Sequence, residues 1–385
     1  MKIVIAPDSF KESLSSRQVA EQIEAGIRDI LPQAETVKLP IADGGEGTIE
    51  ALVAATGGRI VATEVTGPLG QPVKAVYGVC GDQQTAVIEM AAASGLVLVP
   101  KEQRNPLLTT SFGTGELIRS ALDAGYRNLV IGIGGSATND AGVGMLQALG
   151  ARFLDAQGGE IGFGGAALAR LKRIDVSALD PRLHDCRIEV ACDVTNPLTG
   201  STGAAAVFGP QKGATPEMVA ELDKALAHFA AIVQSDLGRD IEQQPGAGAA
   251  GGMGAGLMAF LDAELRPGVA IVIEHIGLEE ILAGADLVVT GEGRIDGQSV
   301  YGKAPIGVAR IAQQQGVPVI ALAGSLGEGY EEVFSCGISA LFSVVPGPCD
   351  LEAALEHAAV NVRATARNVF AVMKIAKSGY ALDSN

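Results

Sequence analysis

At 385 residues, with 48% apolar and 19% charged residues, the chain should form about two or three globular domains with ample core, not a disordered segment. Its formal net charge of -16 argues against nucleic acid and against an anionic membrane surface as partners. No run of about 20 apolar residues occurs, and the N-terminus turns polar at Pro7-Asp8, so neither a membrane span nor a signal peptide is predicted.

Taken in order, the chain predicts a strand at Ile3 to Ala6, a helix over Ser16 to Leu31, a strand at Thr36 to Leu39 and a helix over Gly47 to Thr56. A hairpin-like pair follows at Val73 to Val79 and Thr85 to Met90. Then come a helix over Gly113 to Ala124, a strand at Leu129 to Gly132, a helix over Asn139 to Leu149 and a strand at Ile188 to Cys192. After a long helix over Pro216 to Leu237 and a Gly/Ala-rich segment, Pro245 to Gly256, strands are expected at Asp286 to Thr290, Val317 to Ala321 and Ala340 to Val344. Helices are expected over Pro305 to Gln315 and Leu351 to Met373. Strands alternating with helices imply an α/β protein with a mostly parallel, helix-covered sheet. The alternation is clean at both ends and irregular in the middle. This predicts an outer domain made of 1–60 plus 285–377, an inserted domain at 61–284 and a tail at 378–385.

The cysteines, Cys80, Cys186, Cys192, Cys336 and Cys349, are odd in number and lack Cys-x-x-Cys spacing. Buried thiols in a reducing cytoplasm are expected, with no disulfide framework or zinc site. The histidines, His184, His228, His275 and His357, are scattered outside the Gly-rich loops, so histidine-based nucleophilic catalysis is not expected.

The glycines, 51 in all, cluster in loops that also carry acids. Five such loops stand beside strand-like runs or helix starts: Ala6 to Lys11, Ala42 to Thr48, Gly132 to Asp140, Cys192 to Pro197 and Thr290 to Asp296. Glycine lets backbone N–H groups approach a phosphate, and carboxylates suit a Mg²⁺ ion that shares its oxygens with substrate phosphates. In a protein this acidic, a polyphosphate needs local cations and metal, so lysines and arginines within these loops carry weight. Three fingerprints compete. Gly297 to Ala304 nearly spells a P-loop, but Ala304 replaces the metal-binding hydroxyl and the segment does not follow directly on the strand predicted to end near Thr290. Gly132-Ile133-Gly134-Gly135-Ser136-Ala137 fits a relaxed dinucleotide pattern, with Asp155 near the ribose offset. That leaves a nicotinamide-dependent oxidoreductase as one alternative, and a non-catalytic nucleotide-binding protein as another. Repeated carboxylates at strand ends favour carboxylate-plus-metal chemistry, because α/β sheets bind ligands outside the carboxyl ends of their strands.

The stretches Ala6 to Ser15, Ala42 to Thr48, Gly113 to Ile118, Gly132 to Gly142, Cys192 to Pro197, Phe208 to Ala214, Gly246 to Gly254 and Thr290 to Asp296 closely resemble the bacterial glycerate kinases of the first type. The likeness runs from Met1 to about Lys377. It implies ATP-dependent phosphorylation of D-glycerate at the 2-hydroxyl, giving 2-phosphoglycerate in glycolate/glyoxylate or sugar-acid breakdown. It also implies two α/β domains, one flavodoxin-like, with the active-site cleft between them. ATP and Mg²⁺ are the expected cofactors, D-glycerate the partner, and the cytoplasm the location. A homodimer, and the 2- versus 3-position of transfer, stay open.

For that chemistry Asp193 is the first choice as base, since Thr195 and Asn196 beside it could hold substrate; Asp43 is the second, and Lys11 completes the catalytic set. Binding is expected from Asp8, Ser9, Gly44, Gly45, Glu46, Gly134, Gly135, Ser136, Thr138, Asn139, Asn196, Lys212, Arg294 and Lys303. Lys11, Lys212, Arg294 and Lys303 are the cations best placed for phosphate or carboxylate. Asp140 and Asp296 are the candidate metal ligands.

Overall fold

The computed structural model describes residues 1–45 and 47–377. Two compact units divide the chain. The first takes Met1–Asp43, Glu50–Thr56 and the chain from Val272 onward; the second takes Gly44–Ile49 and Gly57–Ile271.

In the first unit, β1 (Lys2–Pro7), β2 (Glu35–Lys38), β11 (Leu287–Ile295), β12 (Val319–Leu326) and β13 (Ala340–Ser343) form one sheet in the order β13-β12-β11-β1-β2. All its pairings are parallel. Numbered within the unit, the order is 2-1-3-4-5, the doubly wound order in which the chain reverses direction between β1 and its third strand. Here β1 lies directly on β11, with Ile3 opposite Leu287 and Ala6 opposite Thr290. The helix Ser16–Ile30 begins at a capping box in which Ser15 and Gln18 satisfy each other's backbone N–H groups. Its buried face, Val19, Ile23 and Ile27, joins Ile3, Ile5, Val289, Val362 and Phe370 in one core. The C-terminal helical stretch, expected as one piece, is two helices, Leu351–Glu356 and Ala358–Lys377.

In the second unit the sheet order is β10-β9-β6-β5-β4-β3. Its strands are β3 (Arg59–Thr66), β4 (Pro72–Val79), β5 (Thr85–Glu89), β6 (Asn128–Gly132), β9 (Arg187–Ala191) and β10 (Glu264–Arg266). The first three in this order pair in parallel with their neighbours up to β5; β5-β4 and β4-β3 are antiparallel. The expected hairpin is therefore the β4-β5 pair. A small antiparallel pair, β7 (Arg152–Leu154) with β8 (Arg173–Asp175), stands apart. Ile88, Ile131, Val190, Leu146, Phe153, Phe229 and Met253 share the core.

Three local expectations change. The helix expected from Asn139 starts at Val143, because Ala141 and Gly142 are left-handed, at φ 54° and 73°. The strand expected to end at Thr290 continues to Ile295, so Glu292 and Arg294 sit in β11 and not in a loop. The Gly/Ala-rich segment becomes the helix Ala249–Leu261, broken by left-handed Ala250, Gly251 and Gly252. Among the described residues no helix is long and apolar enough to cross a membrane; of the cysteines, expected to be buried, Cys80 is buried, Cys186, Cys192 and Cys336 are half-buried and Cys349 is exposed.

Candidate active site

The second unit gathers most of the predicted binding residues at the carboxyl ends of β6 and β9. Gly44 has φ 89°; a Cβ there would lie 2.5 Å from the Ala191 Cβ and 2.9 Å from the Gly268 Cα, so only glycine fits between them. Gly45 lies beside Gly134, within 3.3 Å of where a Gly134 Cβ would stand. Gly134 and Gly135 are exposed, whereas residues 136–140 are buried. The result is a glycine-walled turn whose backbone an anion can approach.

Below that turn the loop is pinned from inside. Lys212 is 1% exposed. Its ammonium donates to the Ser136 Oγ at 2.7 Å and to the Thr138 carbonyl at 2.7 Å. Burial pushes the Lys212 amine down to about 7, against the pull of the Asp140 charge. Lys212 was expected as a loop cation open to phosphate; the structure instead seats it in the core. Asp140 accepts from the Ser111 N–H at 2.9 Å, the Ser111 Oγ at 2.8 Å, the Gly142 N–H at 3.2 Å and the Gly144 N–H at 3.3 Å. Burial raises its carboxyl and these donors oppose the rise. Its oxygens thus serve the turn into the helix Val143–Ala148. The Thr138 Oγ1 and both amide atoms of Asn139 are buried with no protein partner.

The floor is the segment 246–252. Gly248 N–H donates to the Asn196 carbonyl at 2.9 Å, and Ala141 N–H donates to the Gly251 carbonyl at 3.1 Å. A Cβ on Gly251 would overlap the Thr138 carbonyl oxygen. The 138–142 and 192–197 loops are thereby fixed to one support. Asn196 also donates to the Thr202 carbonyl at 2.8 Å. Asp193 is exposed, and its Oδ1 accepts from Gly268 N–H at 2.9 Å, the first residue of the helix Gly268–Ile276.

In the first unit, Asp8 follows β1 and is 7% exposed, with its Oδ1 accepting from Ser9 N–H at 2.6 Å. Burial, then the charges of Asp43 and Glu292, push its carboxyl up to about 7; the Ser9 N–H and Lys11 work the other way. Lys11 itself is exposed. Glu292, in β11, accepts from the Ser299 Oγ at 2.8 Å and pairs with the Lys303 Nζ at 3.4 Å. Arg294 pairs with Asp296 at 3.0 Å, and Asp296 also accepts from Gln298 N–H at 3.0 Å. Arg294 and Lys303, expected as anion ligands, thus already hold carboxylate partners. Glu46 lies outside the described residues.

Among the described residues no three His, Cys, Asp or Glu side chains stand close enough to hold a metal ion by themselves. The charge of half-buried Asp43 raises the buried Asp8 carboxyl, and a divalent ion brought with nucleotide phosphates would need only one or two carboxylates.

Two fingerprints lose their support here. Because β11 runs to Ile295, the Gly297 to Ala304 segment does follow a strand closely, but a short 3-10 turn, Ser299–Tyr301, intervenes and Ala304 still offers no hydroxyl. The dinucleotide pattern needs a helix opening at its last position, and the helix begins only at Val143. Asp155 accepts from the Gln157 and Gly159 N–H groups, both at 2.9 Å, within a turn after β7. Glu89, which ends β5 and was not singled out in the sequence, accepts from Ile49 N–H at 2.8 Å through its Oε1.

The profile of the glycerate kinase family matches residues 3–374. The glycerate kinase of Bacillus subtilis (strain 168) is 58% identical over 99% of this chain and 100% of its own length. The glycerate 2-kinase of Escherichia coli (strain K12) is 57% identical over 97% of this chain and 98% of its own. A crystal structure from Salmonella typhimurium LT2, described as a candidate glycerate kinase 2, superposes with a TM-score of 0.90 at 60% identity, covering 98% of this chain and 100% of that one.

Proposed function

The chain belongs to the glycerate kinase family, and on that premise we propose how its residues carry out the reaction. Its activity is ATP-dependent phosphorylation of glycerate. We infer D-glycerate as the substrate and the 2-hydroxyl as the acceptor, giving 2-phosphoglycerate; the name of the relative from Escherichia coli supports that position. The observation that carries the site assignment is the convergence of Gly44, Gly45, Gly134 and Gly135 at the ends of β6 and β9, with Asp193 following β9.

Phosphoryl transfer asks a protein mainly for positioning and charge neutralisation. Asp193 accepts the proton of the glycerate hydroxyl, whose oxygen forms the new bond to the γ-phosphorus while the bond to the ADP oxygen breaks. The Gly268 N–H holds one oxygen of Asp193 and aims the carboxylate. The exposed glycine turns give backbone N–H groups to phosphate oxygens. Mg²⁺, when bound with the nucleotide, neutralises phosphate charge, and Asp8 and Asp43 are the carboxylates that would hold it. Lys11, exposed in the same loop as Asp8, supplies a cation for phosphate. ³¹P NMR of the purified protein with Mg-ATP and D-glycerate tests the reading. A 2-phosphoglycerate resonance growing as ADP forms is the expected result; a 3-phosphoglycerate resonance, or no turnover, rejects it.

A further inference from the structure

Among the described residues five buried side-chain polar atoms of the second unit have no protein partner, and three of them belong to two adjacent residues: the Thr138 Oγ1 and the Oδ1 and Nδ2 of Asn139. Both residues are 0% exposed. An unpaired buried amide or hydroxyl costs about 1–3 kcal/mol, so such groups are normally satisfied by something. Beside them stands Lys212, whose ammonium has three protons and two protein acceptors, the Ser136 Oγ and the Thr138 carbonyl. The carboxylate that most affects Lys212, Asp140, is already held by four donors. The backbone here is also strained: Ala141 and Ala250 are left-handed at φ 54° and 52°, each at about 1–2 kcal/mol. Strain and unsatisfied polar groups gathered in one buried joint mark a site whose partner is supplied from outside.

We propose that Lys212, Thr138 and Asn139 form the seat of the hydroxy acid, with Lys212 taking its carboxylate and the Thr138 hydroxyl and Asn139 amide taking its hydroxyl groups. The proposal rests on the glycerate kinase reading and adds to it which substrate this cluster recognises. The chemistry matches in kind and count. One lysine held in place by two bonds meets one carboxylate, whose charge favours the protonated amine, whereas a nucleoside triphosphate carries several charges. An amide and a hydroxyl supply both donors and acceptors, as two hydroxyl groups require. Solvent meets the loop at Gly134 and Gly135, next to Ser136, which already takes one Lys212 proton. Side chains at most 1% exposed leave no room beside them for an adenine nucleotide. A site built to hydrogen-bond a substrate hydroxyl should also reject the analogue lacking it far more strongly than a purely apolar pocket could.

The test is calorimetric binding of D-glycerate and of D-lactate, which lacks the 3-hydroxyl, together with separate KM values for glycerate and ATP. Three variants are compared with the parent protein: Thr138→Val, Asn139→Leu and Lys212→Met. Thr138→Val removes a hydroxyl that has no protein partner, so its melting temperature should hold or rise while its glycerate KM rises at least fivefold and its ATP KM stays within twofold. Asn139→Leu should narrow the preference for D-glycerate over D-lactate, and Lys212→Met should weaken both acids together. If Thr138→Val and Asn139→Leu fold and keep glycerate KM and the glycerate-to-lactate preference within twofold, the assignment is wrong although the kinase reading stands. If ATP KM rises instead of glycerate KM, the cluster serves the nucleotide and the assignment is likewise overturned. If the parent protein itself fails to phosphorylate glycerate, both fall together.

Discussion

The Lys212 Nζ stands 2.7 Å from the Ser136 Oγ, joining two residues that are 76 positions apart. A second bond of the same length reaches the Thr138 carbonyl. A lysine that composition alone would leave in solvent therefore anchors the inner side of the loop whose outer side is Gly134-Gly135. The glycine turn presents backbone to an anion, and the buried cation keeps that turn in place.

Lys212 predicts a pH dependence of stability. Its folded value of about 7 lies below the ordinary 10.5, so between those limits the unfolded chain holds a proton that the folded chain has released. Stability should then rise as pH increases from about 7 toward 10.5, and the burden of the buried charge is complete below 7. Urea titrations of the parent and Lys212→Met from pH 6 to 10 check this. A stability difference between the two that does not change with pH would count against it.

Asp193→Asn keeps the size and an acceptor for Gly268 N–H but removes the base. We expect kcat to fall by roughly 10²- to 10⁴-fold with the melting temperature little changed, because the side chain is exposed. Stopped-time assays of ADP formation measure it. A kcat near that of the parent transfers the role to Asp43.

Asp8→Asn and Asp43→Asn should raise the Mg²⁺ concentration needed for half-maximal rate, with either change also relieving the repulsion between the two acids. Excess EDTA should abolish turnover by the parent protein. Activity that persists in EDTA would remove the metal from the reaction.

Glu24 predicts an acid limb. Desolvation pulls its carboxyl upward, but bonds from Lys38, Thr36 and Arg28 outweigh that and hold it at about 2, below the ordinary 4.5. A depressed carboxylate stabilises the fold above 4.5 and loses that contribution as pH falls through about 2. The melting-temperature gap between the parent and Glu24→Gln should be present at pH 6 and shrink by pH 3. A gap that widens in acid would reverse the sign.

Gly251→Ala places a Cβ against the Thr138 carbonyl at φ 68°. The left-handed conformation alone costs an alanine about 1 kcal/mol, and the overlap forces the 138–142 loop to shift. Lower melting temperature together with a raised KM for glycerate is expected. An unchanged glycerate KM would show that this contact does not shape the site.

Much was legible in the chain itself. Apolar runs at Ile3 to Ala6 and Leu129 to Gly132 gave strands close to β1 and β6, because side-chain periodicity is a local property. The Gly-rich acidic loops pointed to phosphate chemistry, because glycine and carboxylate at strand ends have few other uses in such number. What local pattern could not decide were pairings set at long range. Whether Lys212 faces solvent depends on Ser136 and Thr138. Which donors surround Asp140 depends on Ser111, which supplies two of them. Whether Asp193 stands free or caps a helix depends on Gly268. The helix start at Val143 likewise moved from Asn139 because Asp140 is drawn to Ser111 and Ala141 to Gly251. Sequence determined which residues were chemically able to act; burial and hydrogen bonding across the folded chain decided which of them are held, which are filled and which remain without a partner.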